Sequence, residues 1–235
     1  MSIAVVVAPH FDPKKLHLLT EFFLWAIICS SIAAIGNITN DMLDVKQDRE
    51  NKKKNIFVGG KNRITGFFII LLMFGACSVA LYFSLNRELL SLFAAGSLVL
   101  LILYNYLLKK LVLIGNLVIS VLTALIFVGI DYIVVGRVSY FESGFDTKHI
   151  EMLACFAFII TLVREILKDA EDRKGDKFAG FHTIAKFLSD KWIAALVLFL
   201  NISGCLATFM VMVWRQGNFV SDLYLYSGWS LLVTL

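Results

Sequence analysis

The sequence predicts an all-α fold, a bundle of transmembrane helices forming a single domain over residues 1–235. Hydrophobic residues make up 59% of the chain and charged residues only 17%, a balance typical of proteins with several transmembrane helices. The apolar residues occur in runs of about 20, the length that crosses the hydrocarbon core as a helix. Only two prolines occur, and no Gly/Ser-rich or Ser/Pro-rich stretch suggests a linker between domains.

The apolar runs place the helices along the chain. Residues 1–8 are apolar but too short to cross a bilayer, so we expect the end of a truncated first helix there. Further spans are expected at residues 16–38, 65–85, 89–108, 111–135, 150–167 and 192–214, and a last one begins at 223 and is cut short. Most of the 22 basic residues follow the spans that end near 38, 108 and 167. Because lysine and arginine collect on the cytoplasmic side, these three ends are predicted to face the cytoplasm.

A first acidic cluster, Asp41, Asp44 and Asp48, follows the first complete span. Asn37 precedes it by one helical turn, and at about 100° per residue all four side chains share one helix face. A carboxylate in hydrocarbon costs roughly 2.5–3.5 kcal/mol, so three of them must meet water, cations or protein. The simpler alternative is a helix end whose acids meet water in the headgroup region. It would explain a single aspartate, but it explains less well three aspartates that share one helix face with Asn37.

A second acidic cluster, Asp169, Asp172 and Asp176, repeats this spacing after the span at 150–167. Carboxylates beside lysines and arginines are the usual protein ligands of magnesium-bound phosphate: the acids bind the metal, the metal bridges phosphate oxygens, and the bases neutralise the remaining charge. Two such clusters at the mouth of an apolar bundle predict Mg²⁺ and a diphosphate that carries an apolar tail.

Two other interpretations remain open from the residues. An ion transporter or channel is the alternative of another class, because acids in membrane proteins also form ion sites. It predicts ionisable groups near the bilayer midplane, whereas both clusters lie at span ends, and Asp131, another acid inside an apolar run, lies toward the opposite end of its span. A catalytically inactive bundle is the third interpretation, and the presence of all six aspartates argues against it.

The two motifs resemble those of a known family. Asn40-Asp41-x-x-Asp44-x-x-x-Asp48 and Arg164-Glu-Ile-Leu-Lys168-Asp169-x-Glu-Asp172-x-x-Gly-Asp176 are similar to the signature motifs of the UbiA superfamily of intramembrane prenyltransferases, and Tyr104-Asn-Tyr-Leu-Leu-Lys109-Lys110 with Gly115-Asn116 is similar to its middle region. The likeness covers nearly the whole chain. It implies a nine-span bundle, of which this chain holds about seven spans, with a central cavity for Mg²⁺ and a prenyl diphosphate.

The resemblance also implies roles for individual residues. Asp41, Asp44 and Asp48 are expected to hold one magnesium ion, and Asp172, Asp176 and Asp169 another. The candidate contacts of the diphosphate are Asn37, Asn40, Arg49, Lys109, Arg164 and Lys168. One departure concerns the loop after Asp48, where relatives have Asn-Lys/Arg-Pro and this chain has Asn51-Lys52-Lys53-Lys54. Loss of that proline is expected to alter the loop that covers the diphosphate.

The predicted function is magnesium-dependent prenyl transfer to a lipid acceptor. The second motif is most similar to the branch that adds a second geranylgeranyl group to geranylgeranylglyceryl phosphate, and an aromatic acceptor, as in quinone synthesis, is the alternative. The expected location is a bacterial cytoplasmic membrane with the site facing the cytoplasm. Beyond the two substrates and the lipid bilayer, neither nucleic acid nor an obligate protein partner is expected.

Overall fold

The computed structural model describes residues 13–55, 57, 62–83, 88–135 and 148–214, and the regular structure in these ranges is helical throughout. The helices are α1 (Pro13–Leu43), α2 (Val45–Glu50), α3 (Arg63–Phe83), α4 (Glu88–Tyr106), α5 (Ile114–Val135), α6 (Lys148–Ala179), α7 (Ile184–Phe187) and α8 (Asp190–Trp214). A 3₁₀ turn, Leu108–Lys110, lies between α4 and α5. The predicted all-α fold class is confirmed.

Within the described ranges, five stretches are long and apolar enough to cross a membrane, namely His17–Leu43, Arg63–Ala80, Glu88–Tyr106, Ile114–Val134 and Asp190–Ala207. Each overlaps a predicted span. The span predicted at 150–167 is helical within α6 but is not one of the five, and Glu151, Arg164 and Glu165 interrupt its apolar sequence. The truncated helix expected at residues 1–8 and the span expected from 223 lie outside the described residues.

Two groups of buried side chains join the helices. The larger group takes Trp25, Ile28 and Ile32 from α1 and packs them against side chains of α3, α4 and α5. The smaller group joins α6, α7 and α8 through Leu162, Ile166, Ile184, Ala185 and Ile193. The pair α5 and α6 makes the most extensive helix contact and connects the two groups. In a bilayer such contacts stabilise the bundle by close packing, because an apolar side chain is in apolar surroundings whether it contacts lipid or another helix.

The outer faces of the bundle carry large apolar side chains. Phe67, Phe68 and Leu72 on α3 and Leu198 and Phe199 on α8 are each at least 60% exposed. A soluble protein rarely exposes so much contiguous apolar surface, whereas helices in a bilayer present such side chains to lipid. The chain is therefore an integral membrane protein.

Polar side chains inside the bundle fix the position of α1. The indole Nε1 of Trp25 donates to the Ile126 carbonyl of α5 at 2.9 Å. Near the other end, the buried Asn105 of α4 donates from Nδ2 to the Gly36 carbonyl at 3.1 Å. A buried polar group without a partner is costly, so these bonds hold α1 in register with its neighbours. They thereby fix the position of the first acidic cluster along the bundle axis, at its end.

The helix that carries the first acidic cluster is not continuous. α1 ends at Leu43, and Asp44, with φ −90° and ψ 9°, separates it from α2. The prediction of one unbroken helical face from Asn37 to Asp48 is therefore wrong in this detail. Aspartate is a poor residue for a helix interior because its side chain competes for other partners. The break lets α2 pack against α6, while Asp48 N still donates to Asp44 O at 2.9 Å.

Candidate functional site

The two acidic clusters line one cavity of about 220 Å³ at the end of the bundle, here called the acid-lined cavity. Its walls are Asn40, Asp41, Asp44, Gln47, Asp48, Lys53, Lys54, Tyr104, Lys109, Glu165, Lys168, Asp169, Asp172, Asp176, Phe181 and Thr183. Seven carboxyl groups therefore face four lysines. This excess of negative charge suits a bound cation.

The first acidic cluster is held by Lys109 and Asn55. The Lys109 ammonium forms an ion pair with Asp44 and donates to Asn40 Oδ1 at 3.1 Å. Asn55 Nδ2 donates to Asp48 Oδ2 and to the Asp41 carbonyl, both at 2.7 Å. The 3₁₀ turn and the loop after α2 thus orient this cluster from two sides.

The second acidic cluster is tied to the loop after α2. Asp172 Oδ1 forms an ion pair with Lys53 and accepts a hydrogen bond from Asn51 Nδ2 at 3.2 Å. Asn51 Oδ1 accepts from the Gly175 backbone N–H at 2.7 Å, so one amide bonds two positions of α6. We call these contacts of Asn51 the Asn51 clasp. Deeper in the bundle, the buried Asn116 of α5 donates to Asp169 Oδ2 at 3.0 Å.

Burial raises the pKa of Asp169 and of Asp176 to about 6 each. Both residues lie beyond the membrane-spanning stretches. Desolvation is the largest cause for each, and hydrogen bonds from Asn116 and Thr183 respectively act in the opposite direction. Nearby acids add repulsion, including Asp44 of the first cluster on Asp176. A divalent cation between the clusters would supply the charge that favours both ionised forms.

The donor set fits magnesium. The acids offer only oxygen ligands, which Mg²⁺ prefers. In the described part of the chain, no three histidine, cysteine, aspartate or glutamate side chains converge as a complete metal cage. Protein-bound Mg²⁺ commonly takes one or two carboxylates together with water and substrate phosphates, and these clusters offer such partial ligand sets.

A second cavity of about 290 Å³, the apolar cavity, lies deeper in the bundle, and its lining residues come within one helical turn of those of the acid-lined cavity. Three helices contribute to both. Along α1, Asn37 lines the apolar cavity one turn before Asp41, and along α4 Leu101 does so one turn before Tyr104. The remaining lining is mainly aliphatic and aromatic, with Trp25, Cys29, Ile32, Ala33, Ala94, Ser97, Ile119, Leu122, Thr123, Leu125, Ile126 and Arg164. A charged mouth therefore lies above an apolar interior.

The structure gathers most of the predicted site residues and separates three. The acid-lined cavity contains Asn40, Asp41, Asp44, Asp48, Lys109, Lys168, Asp169, Asp172 and Asp176. Asn37 and Arg164 instead line the apolar cavity, and Arg49 is exposed and lines neither. Asp131 of α5 also lines neither cavity.

Sequence reasoning missed several residues of the site. Asn51, Lys53 and Asn55 follow the first cluster in a loop without periodicity, so no local pattern predicts their contacts with aspartates. Phe181 and Thr183 line the cavity from the segment after α6.

The fold and the site define a class of protein, a transmembrane helical bundle with an apolar cavity beneath paired carboxylate clusters. The particular family follows from comparison of the sequence. The chain matches the UbiA prenyltransferase family over residues 1–235 and belongs to it. The resemblance identified from the two motifs is confirmed.

Curated relatives share the name digeranylgeranylglyceryl phosphate synthase. The protein of Methanosphaera stadtmanae is 32% identical over 189 residues, which cover 79% of this chain and 64% of the relative. That of Saccharolobus solfataricus is 34% identical over 193 residues, with the same coverage of 79% and 64%. That of Pyrococcus furiosus is 31% identical over 176 residues, 74% of this chain and 59% of the relative. The chain thus spans about 64% of the length of the first two relatives. No solved structure matches it.

Proposed function

We propose that the protein transfers a geranylgeranyl group from its diphosphate to geranylgeranylglyceryl phosphate, with Mg²⁺ as cofactor. The observation that carries this proposal is that the acid-lined cavity lies one helical turn beyond the apolar cavity along α1 and α4. One cavity fits a metal-bound diphosphate and the other an isoprenoid chain. Family membership supports prenyl transfer, and the name shared by the three relatives supports this acceptor.

The apolar cavity is proposed to hold the prenyl chain. Its aliphatic and aromatic walls favour hydrocarbon over water. Asn37 and Arg164 line the end of the apolar cavity nearer to the acid-lined cavity, here called the junction, and the Arg164 guanidinium donates to Glu165 Oε1 at 2.9 Å. We assign the reacting end of the prenyl group to this junction. The aliphatic lining beside the junction is proposed to limit the water that reaches the activated allylic carbon and so to protect it from hydrolysis.

The acid-lined cavity is proposed to hold the diphosphate. Asp41, Asp44 and Asp48 are proposed ligands of one magnesium ion, and Asp169, Asp172 and Asp176 of a second. When bound, Mg²⁺ supplies Lewis-acid neutralisation of the departing diphosphate.

Lysines supply the remaining positive charge. Lys109 and Lys168 are the proposed lysine contacts of the diphosphate, beside Asn40. Lys53 and Lys54 line the same cavity and are proposed as further contacts of the diphosphate. Arg49 lines neither cavity and is not proposed as a contact. Lysines fixed where negative charge develops on the leaving group lower the barrier to its departure.

In the proposed reaction the bond between the prenyl C1 and the diphosphate oxygen breaks, and the electron pair leaves with the diphosphate. An acceptor hydroxyl oxygen forms the new ether bond to C1, and its proton is released. The acid-lined mouth is proposed to face the cytoplasm, because the loops around it carry most of the basic residues. The bacterial origin of the membrane stays a prediction.

A transfer assay tests this proposal. The purified protein would receive labelled geranylgeranyl diphosphate and Mg²⁺ with geranylgeranylglyceryl phosphate or, in parallel, a phenolic acid. We expect product from the glycerol lipid, and loss of product in Asp172→Asn. Asp190→Asn is the matched control, since Asp190 is exposed on α8 and pairs with Arg173 at 2.8 Å. Product from the phenol alone would favour the aromatic acceptor, and product in Asp172→Asn at the control rate would contradict the site.

A further inference from the structure

A third cavity of about 250 Å³ adjoins the acid-lined cavity and is here called the lysine-lined cavity. Asp44, Gln47, Lys109 and Phe181 line both cavities and form the shared wall. The rest of its lining is Leu43, Lys46, Asn105, Tyr106, Lys110, Phe178 and Ala179. It lies where the ends of α1, α4 and α6 meet.

The charge of the lysine-lined cavity is opposite to that of its neighbour. Three lysines, Lys46, Lys109 and Lys110, face one carboxylate, Asp44, which is already paired with Lys109. Among the described residues, Lys46 and Lys110 form no ion pair. An anion therefore fits here without a metal, whereas the acid-lined cavity requires a cation before it accepts phosphate. A phosphate monoester carries about −1.5 to −2 charges at neutral pH and matches two free ammonium groups.

The segment after α6 contacts Lys109 and Lys110. Phe181 N donates to Asp176 O at 2.8 Å, and His182 N donates to Lys110 O at 2.9 Å, which joins this segment to the 3₁₀ turn. The ammonium groups of Lys109 and Lys110 lie 6.0 and 5.8 Å from the Phe181 ring centroid. Cation–π contacts at exposed sites contribute only about 0.5–1 kcal/mol. Lys109 is also fixed by Asp44 and Asn40, whereas Lys110 is placed beside the cavity and remains able to turn toward a phosphate.

The mouth of this cavity is apolar. Leu43, Tyr106 and Phe178 line it and are 42%, 52% and 63% exposed. Leu43 and Tyr106 end stretches long and apolar enough to cross the membrane, so the mouth lies at the membrane interface, where aromatic side chains contact lipid. A ligand that contacts both the lysines and the apolar mouth has a phosphate head and a hydrocarbon chain.

We propose that the lysine-lined cavity binds the phosphate monoester head of the lipid acceptor. Lys46 and Lys110 contact the phosphate, and Tyr106 and Phe178 lie along the lipid chain. This inference rests on the proposed function and adds to it a binding site for the second substrate. Because Lys109 and Phe181 are shared with the acid-lined cavity, a hydroxyl a few bonds from the bound phosphate lies close to the diphosphate.

Direct binding tests the inference without turnover. Affinities of the detergent-solubilised protein would be measured for geranylgeranylglyceryl phosphate, for the same lipid without its phosphate, and for glycerol phosphate. Lys46→Gln and Lys110→Gln are each expected to weaken binding of the phosphorylated lipid about tenfold, the loss of one charge-assisted hydrogen bond. Neither should change binding of the lipid without phosphate. Lys186→Gln is the control, because Lys186 lines none of the three cavities and its ammonium lies 5.9 Å from the Phe187 ring.

Several results would overturn the inference. Equal losses for the two lipids, or an equal loss in Lys186→Gln, would mean that the lysines act only through general charge. Weaker Mg²⁺-dependent binding of geranylgeranyl diphosphate, with unchanged acceptor binding, would assign the lysines to the donor. Glycerol phosphate binding as tightly as the lipid would identify a site for free phosphate. Product formation with an unchanged acceptor KM in Lys46→Gln and Lys110→Gln would refute this site and leave the proposed function standing. Acceptor binding that depends on the lysines, without any product, would support this site and contradict the proposed function.

Discussion

A single added methyl group at Gly175 should disrupt the Asn51 clasp. An added Cβ would overlap the Asn51 side chain and lie 2.8 Å from the Gln47 carbonyl oxygen. Gly175→Ala should therefore break the neutral bond between Gly175 N–H and Asn51, worth about 1 kcal/mol, and the bond from Asn51 to the Asp172 carboxylate, worth about 2 kcal/mol. Alanine returns about 1 kcal/mol of helix propensity, so the expected net loss is about 2 kcal/mol.

This loss corresponds to a fall of about 4–8 °C in the unfolding midpoint of a domain of this size. The assay is thermal unfolding in detergent followed by tryptophan fluorescence. Gly96→Ala is the matched control, since a Cβ on this glycine of α4 meets no atom within 4 Å, and its midpoint should stay level or rise. Asn51→Ala combined with Gly175→Ala should be less destabilising than the two single losses together. Equal midpoints for Gly175→Ala and Gly96→Ala would refute the clasp.

Three further predictions concern the site. Asp169 has a higher pKa when folded, about 6, than its ordinary 3.8, so its contribution to stability is present at low pH and lost as the pH rises through 6. Asp169→Asn should accordingly raise the Mg²⁺-free free energy of unfolding at pH 7.5 by roughly 3 kcal/mol or less, raise it by about half as much at pH 5, and leave it nearly unchanged at pH 3; a lower free energy of unfolding at all three would contradict this. Asn116→Ala removes the donor to Asp169 Oδ2, and a Mg²⁺ titration of transfer should show a requirement about tenfold higher, whereas an unchanged titration would exclude a positioning role for Asn116. Leu122→Trp fills the apolar cavity, so transfer from a ten-carbon donor should survive better than transfer from the twenty-carbon donor, and equal losses would place the chain elsewhere.

The helices and the acidic clusters could be predicted because their signals are local. A run of about 20 apolar residues identifies a span, and the spacing of Asp169, Asp172 and Asp176 is visible within eight positions of the sequence. The spacing of residues along a helix predicts which face they share but not the depth at which each side chain meets a cavity. Asn37 and Arg164 therefore line the apolar cavity, although the motif places them beside the aspartates.

Contacts between distant segments carried no sequence signal. Asn51 and Asp172 lie 121 residues apart, and nothing in the polar loop after Asp48 distinguishes the asparagine of the clasp from its neighbours. The carboxylate of Asp44, at the break between α1 and α2, pairs with Lys109, which lies 65 residues away in the sequence. The run Lys52-Lys53-Lys54 distinguishes this loop in the sequence, but only the folded chain shows that Lys53 pairs with Asp172.

The central claim is that the two acidic clusters form one magnesium–diphosphate site. The most direct test is the affinity for geranylgeranyl diphosphate, measured with and without Mg²⁺, in the wild type, Asp44→Asn, Asp172→Asn and the control Asp190→Asn. Binding should require Mg²⁺, be lost in each of the two cluster variants, and stay unchanged in the control. Full Mg²⁺-dependent binding by either cluster variant would show that its cluster is not part of the site.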